Sequence, residues 1–135
     1  MNIISKNRFT KTFFSFFPSL YFSPPLYLTH LVTYRCNASC SLCLLRKKST
    51  SHEFSVTNLI EKTKKMGYLR EVMIGGGEPF LYPHLYKLVS SYVSLNRCKT
   101  IHVLTNGSLP EQIIAFCQHF LTHFKRTSLH LHFSI

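Results

Sequence analysis

Three cysteines fall within eight residues, Cys36-Asn37-Ala38-Ser39-Cys40-Ser41-Leu42-Cys43, a C-x3-C-x2-C spacing with no fourth cysteine close by. The shortfall is the informative part. A structural zinc site, or an iron–sulfur site that only carries electrons, takes four protein ligands. Three thiolates on one short loop can hold three irons of a cubane and leave the fourth iron open to a substrate or cofactor. The loop therefore points to chemistry rather than to support alone. The plainer alternative is a zinc knuckle that borrows a histidine, His30 or His52.

Two more segments carry unusual residues. Gly75-Gly76-Gly77-Glu78-Pro79 and Thr105-Asn106-Gly107 each close an apolar run. Taken singly, either reads as an ordinary turn. The elements around them form a repeat. Leu28 to Tyr34 is apolar and β-branched, a strand that runs into the cysteines. Ser55 is an N-cap for a helix whose Val56, Leu59, Ile60, Thr63 and Met66 recur at helical spacing, and Gly67 stops it. Glu71 to Ile74 is a second strand, leading into the glycines. Leu85, Leu88, Val89, Tyr92 and Val93 outline a second helix after Pro83. Thr100 to Leu104 is a third strand. Pro110 opens a third helix, with Ile113, Ile114, Phe116, Cys117, Phe120, Leu121 and Phe124 on its apolar side. Leu129 to Ile135 is a fourth strand. Alternating strands and helices specify an α/β fold with a parallel sheet. In such sheets the working loops lie beyond the carboxyl ends of the strands. All three special segments fall there.

The composition agrees with a folded domain. The chain has 135 residues, 45% hydrophobic and 16% charged, which argues against disorder. Five cysteines with one tight cluster do not form a disulfide framework. They read as metal ligation in a reducing, cytoplasmic setting. Cys98 and Cys117 read as structural. The net charge of +11 rests on sixteen bases against five glutamates. It permits an anionic partner, but runs such as Lys62-Lys64-Lys65 read first as a solvated face. No run of ~18 apolar residues marks a membrane span. Residues 1 to 24, with Phe13, Phe14, Phe16 and Phe17, read as an aromatic and basic extension, and 25 to 135 as the domain proper. His130 and His132 alternate on one strand face with Ser134, and His102 lies on the neighbouring strand.

Together these residues resemble the radical S-adenosylmethionine (SAM) superfamily. Cys36, Cys40 and Cys43 match its cluster loop, Gly76-Gly77-Glu78-Pro79 its G-G-E-P segment, and Thr105-Asn106-Gly107 the end of its third strand. The framing Thr33-Tyr34-Arg35-Cys36-Asn37 is similar to the branch of molybdenum-cofactor and peptide-maturation enzymes. The resemblance implies a partial parallel (β/α) barrel, about four strands and three helices. It implies a 4Fe-4S cluster on Cys36, Cys40 and Cys43, with SAM on the open iron and cleavage to a 5′-deoxyadenosyl radical. Gly76, Gly77, Glu78 and Pro79 would then meet the methionine end of SAM, with the glycines admitting the cofactor to the backbone. Thr105 and Ser134 would add polar contacts to SAM or substrate. The implied partners are an unidentified substrate, a flavodoxin or ferredoxin as electron donor, and a second chain over the sheet edge after the fourth strand.

Two departures temper the activity. Leu42 stands where the family often has an aromatic residue, and the chain stops at Ser134-Ile135, where the family commonly continues Ser-x-Asp. The alternative expectation is accordingly a truncated, non-catalytic iron–sulfur and SAM-binding remnant, or half of a split protein.

Overall fold

The computed structural model describes residues 26–47 and 55–134, so the aromatic extension, His52 and Ile135 lie outside the described residues. Four strands, β1 (Tyr27–Thr33), β2 (Glu71–Gly76), β3 (Thr100–Thr105) and β4 (Ser128–Phe133), form one sheet in the order β1-β2-β3-β4. Every neighbouring pair is parallel. Three helices, α1 (Val56–Lys65), α2 (Leu85–Asn96) and α3 (Pro110–His123), occupy the connections. Short 3-10 turns span Leu44–Lys47 and Pro79–Leu81. The expected α/β architecture of four parallel strands and three helices is the one observed.

Local signals set the boundaries. Ser55 Oγ accepts from the Asn58 N–H and caps α1, one of the orphan donors that every helix start leaves. Gly67 takes a left-handed φ of 70° just past the end of α1, where a side chain would be strained. Pro110 sits in the first turn of α3. Arg97 ends α2 at φ 53° without the glycine that usually does this.

The two sheet faces differ, because successive side chains point to opposite sides. Val72, Ile74, Ile101 and Val103 are fully buried and join Leu88, Val89, Phe116 and Phe120 in the core beneath the helices. The other face carries Tyr27, Leu31, Met73 and Leu104, all exposed. The expectation for α3 holds for Ile113, Phe116 and Phe120, which are buried. Ile114 and Leu121 face outward instead. Only a limited arc of a helix can meet a sheet, and these two lie beyond it. Cys98 is buried, its Sγ donating to the Arg70 and Thr100 carbonyls, and burial pushes its thiol up. Burial likewise raises the Cys117 thiol. Both remain protonated structural cysteines, as expected.

His30 lies on the helix-covered face, where it is hydrogen-bonded to the Tyr92 hydroxyl. Tyr92 is buried and its ionisation is pushed up, chiefly by burial and further by Tyr82 and Cys98. The phenol therefore donates and the imidazole accepts. Burial lowers the His30 pKa from 6.5. This placement removes His30 from the zinc-knuckle alternative. It also predicts a pH dependence. The unfolded chain takes a proton at His30 near pH 6.5, whereas the folded chain resists it until lower pH. Stability is thus lost as pH falls from 6.5 toward the folded value. Urea midpoints taken between about pH 5 and 7 are expected to fall with pH, and less steeply in His30→Gln. Equal slopes in the two proteins would contradict this assignment.

Candidate functional site

The carboxyl ends of β1, β2 and β3 are joined by a small set of close contacts. The chain leaving β1 crosses that leaving β2. Gly77 N donates to the Thr33 carbonyl at 2.7 Å, and Glu78 N to the Arg35 carbonyl at 2.8 Å. A Cβ on Gly76 would stand 2.3 Å from Thr33 O, and one on Gly77 only 2.0 Å from Arg35 O. Neither position admits a side chain. Gly76 also adopts φ +126°, a backbone conformation that glycine tolerates and other residues rarely do. The sequence reading placed the glycines' close approach against a cofactor. The close approach seen here is to the strand that delivers Cys36.

Glu78 is completely buried. Its Oε1 accepts from the Thr105 hydroxyl at 2.8 Å and from Phe80 N at 3.2 Å, and its Oε2 accepts from Asn106 N at 2.8 Å. The carboxylate therefore ties the loop after β2 to the loop after β3. Thr105 is likewise buried, with its hydroxyl committed to Glu78 and to Gly107 N. Pro79 is buried at the start of the 3-10 turn. Ser134 stands just past β4, exposed, its N–H bonded to the Thr105 carbonyl at 2.9 Å. Of the predicted residues, Gly76, Gly77, Glu78, Pro79 and Thr105 thus form one braced unit, and Ser134 reaches its edge.

Cys36, Cys40 and Cys43 are free thiols, all exposed, on the loop that this unit supports. Cys43 N bonds to the Cys40 carbonyl at 3.2 Å, making a turn between the last two. Among the described residues no group of three His, Cys, Asp or Glu side chains is gathered closely enough to hold a metal ion. The loop is held to the β3 loop by residues not singled out from the sequence. Asn37 Nδ2 donates to Ser108 Oγ at 2.7 Å, and Asn106 Nδ2 donates to Asn37 Oδ1 at 2.9 Å. Asn106 Nδ2 also reaches Cys36 Sγ at 3.8 Å, and Ala38 N reaches the same sulfur at 3.4 Å. The T-N-G and C-N dipeptides were visible as motifs, but nothing local indicated that their asparagines meet. Leu42 projects into solvent, 93% exposed.

A separate groove of about 300 Å3 lies on the helix side, between α2 and α3, lined by Phe80, Tyr82, Tyr86, Phe116 and His119. It does not adjoin the cysteines. No helix among the described residues is long and apolar enough to cross a membrane.

Known proteins resemble this chain in sequence and in fold. A family model described as the radical SAM superfamily matches residues 31–132. The PqqA peptide cyclase of Gluconobacter oxydans is 34% identical over 95 residues, covering 67% of this chain and 26% of that one. The subtilosin biosynthesis protein AlbA of Bacillus subtilis is 33% identical over 91 residues, covering 65% and 20%. The GTP 3′,8-cyclase of a Nostoc species is 31% identical over 84 residues, covering 56% and 25%. The chain thus spans about a quarter or less of the length of these relatives. In fold it is similar to SuiB of Streptococcus suis solved with S-adenosylmethionine, at TM-score 0.58 and 21% identity over 86% of this chain and 29% of that one. It is also similar to BtrN solved with AdoMet and 2-DOIA, at TM-score 0.54 and 17% identity over 69% and 41%.

The bracing role of Glu78 is testable without any ligand. Glu78→Gln places an amide N–H against buried donors, and leaving such groups unsatisfied costs about 3 kcal/mol. Chemical denaturation is expected to show that loss. Gly77→Ala is expected to unfold the chain or displace the cysteine loop, since its Cβ has no space at 2.0 Å from Arg35 O. Wild-type stability in either variant would contradict the described bracing.

Proposed function

The chain belongs to the radical SAM superfamily, and from that membership we propose that it binds a 4Fe-4S cluster on Cys36, Cys40 and Cys43 and S-adenosylmethionine beside it. The residues present suit that group. Three free, exposed thiols on one loop are the donor set of a cluster with one open iron. Amide N–H groups from Asn106 and Ala38 already point at the Cys36 sulfur, and such hydrogen bonds tune a cluster's potential. When bound, cluster and SAM supply reductive cleavage to methionine and a 5′-deoxyadenosyl radical, which takes hydrogen from a substrate.

The protein's own part is placement. The Gly76–Gly77 contact with Thr33 and Arg35 fixes where β1 releases the cysteine loop. The loop backbone after β2 would then be the part that meets the methionine end of SAM. Glu78 and Thr105 serve this reading as the brace behind that backbone, because their polar atoms already have partners within the protein. The sequence expectation put Glu78 at the methionine end of SAM and Thr105 in polar contact with SAM or substrate; here we read both as the support behind that contact. Ser134 is exposed at the same edge and keeps its hydroxyl available for SAM or substrate. Leu42, standing clear of the fold beside Cys43, offers an apolar surface to the nucleoside in place of an aromatic ring.

The single observation that carries this reading is that the cysteine loop, the G-G-E-P segment and the T-N-G turn meet at one end of one parallel sheet. Thiol ligands and a reducible cluster would suit a reducing, cytoplasmic setting, with a flavodoxin or ferredoxin as the expected electron donor. One relative is a peptide cyclase and another a GTP cyclase, so both a peptide and a nucleotide are candidate substrate classes.

Anaerobic reconstitution is expected to load about four irons and four sulfides per chain, and Cys36→Ala, Cys40→Ala or Cys43→Ala to abolish it. Stoichiometric zinc filling the site instead would contradict the proposal. With dithionite and SAM, the loaded chain is expected to release 5′-deoxyadenosine. A loaded chain that binds SAM and releases none would leave the alternative, a non-catalytic binding protein or one part of a split enzyme.

A further inference from the structure

Three histidines and a glutamate gather on the sheet face that the helices leave open. His102 lies on β3, and its cross-strand partner on β4 is His130. His132 pairs in register with Leu104, two residues further along. Glu71 begins β2, in register with Thr100. The period-two alternation of a strand places all four side chains on one face. His102 is central. Its Nδ1 is 2.9 Å from His132 Nε2, and its Nε2 is 3.5 Å from Glu71 Oε2. The His130 ring lies 5.0 Å from that of His102, centroid to centroid. The chain thus runs diagonally, from Glu71 at the start of β2 to His132 near the carboxyl end of β4.

The contacts fix a direction for the protons. The Glu71 carboxylate favours a proton on His102 Nε2, the nitrogen that faces it. His102 Nδ1 then holds a lone pair and accepts from His132 Nε2–H. That leaves Nδ1 of His132 as the basic atom, and it has no partner among the described residues. The other titratable or charged groups on this face are His130 beside His102, Arg70 with its Nε 3.7 Å from Glu71 Oε1, and Tyr27, the cross-strand partner of Glu71. Arg70 stands outside the line, its side chain 59% exposed. The arrangement follows the general logic of an imidazole base oriented and charge-balanced by a carboxylate, here with a second imidazole between them.

We propose that Glu71, His102 and His132 form an acid–base relay, with His132 as the terminal base and Glu71 and His102 as positioning residues. The ligand class is an organic substrate with an ionisable O–H or N–H, bound on the open sheet face. The substrate's X–H bond breaks, the proton bonds to His132 Nδ1, and the electron pair stays on X. No oxidant or reductant takes part. The imidazolium so formed is stabilised by Glu71 through His102. The relay rests on the preceding function only for the presence of a substrate at this sheet; its binding on the open face is part of the present inference.

The test uses the full chain without cluster or SAM, so it reads the relay whether or not the cluster forms. Imidazole 15N–1H spectra are expected to show His102 and His132 both carrying hydrogen on Nε2, as their contacts require. Glu71→Gln, which removes the charge facing His102 Nε2, is expected to turn His102 into a mixture of tautomers. His132→Ala is expected to remove the hydrogen bond at His102 Nδ1 and shift that nitrogen's resonance. Glu71 is partly exposed, so Glu71→Gln should fold, and a wild-type fingerprint spectrum confirms that it does. Opposite tautomers, a His102 tautomer unmoved by Glu71→Gln, or a His102 Nδ1 resonance unmoved by His132→Ala would overturn the relay. So would one equivalent of zinc shifting all three histidine rings together, since that identifies a metal site instead.

Discussion

The buried carboxylate of Glu78 is the constraint on which the working end of the molecule depends. Removing a carboxylate from water costs several kcal/mol unless donors replace the lost hydration. Here three donors do so, Phe80 N, Thr105 Oγ1 and Asn106 N, while the Glu78 N–H bonds to Arg35. One residue therefore joins the exits of β1, β2 and β3. The neighbouring glycines allow this, because only a backbone without Cβ atoms fits against Thr33 and Arg35. The cysteine loop is thus released from a fixed point, although the loop itself stands in solvent.

Much of the fold was legible in the residues. The apolar runs at Leu28, Val72, Ile101 and Leu129 marked strands, and Ser55, Gly67 and Pro110 marked helix ends at the observed places. These signals are local, so a linear reading recovers them. Ile114 and Leu121 were harder, since an apolar residue near the rim of a helix stripe can face either way until the packing partner is known. The site was legible as three motifs at three strand ends. What each side chain does there was not. Glu78 and Thr105 lie 27 residues apart, and Asn37 and Asn106 lie 69 apart. Such partnerships arise only when the sheet brings the loops together. Glu78 and Thr105, read as ligand contacts, have protein partners of their own.

The sheet divides stability from chemistry. On the covered face, Val72, Ile74, Ile101 and Val103 pack under the helices, and the His30–Tyr92 pair is satisfied within that layer. On the open face, Glu71, His102, His130 and His132 stand among exposed apolar residues such as Met73 and Leu104. Alternation along a strand lets neighbouring residues serve these two ends independently. The open face is mostly exposed, so substitutions there are expected to cost little in folding.

The central claim is that the loop presents one iron of a cluster to SAM. Electron paramagnetic resonance of the reconstituted, reduced chain tests it most directly, recorded before and after addition of SAM. The account predicts a single S = 1/2 cluster signal whose g values change when SAM is added. A cluster signal indifferent to saturating SAM would contradict it.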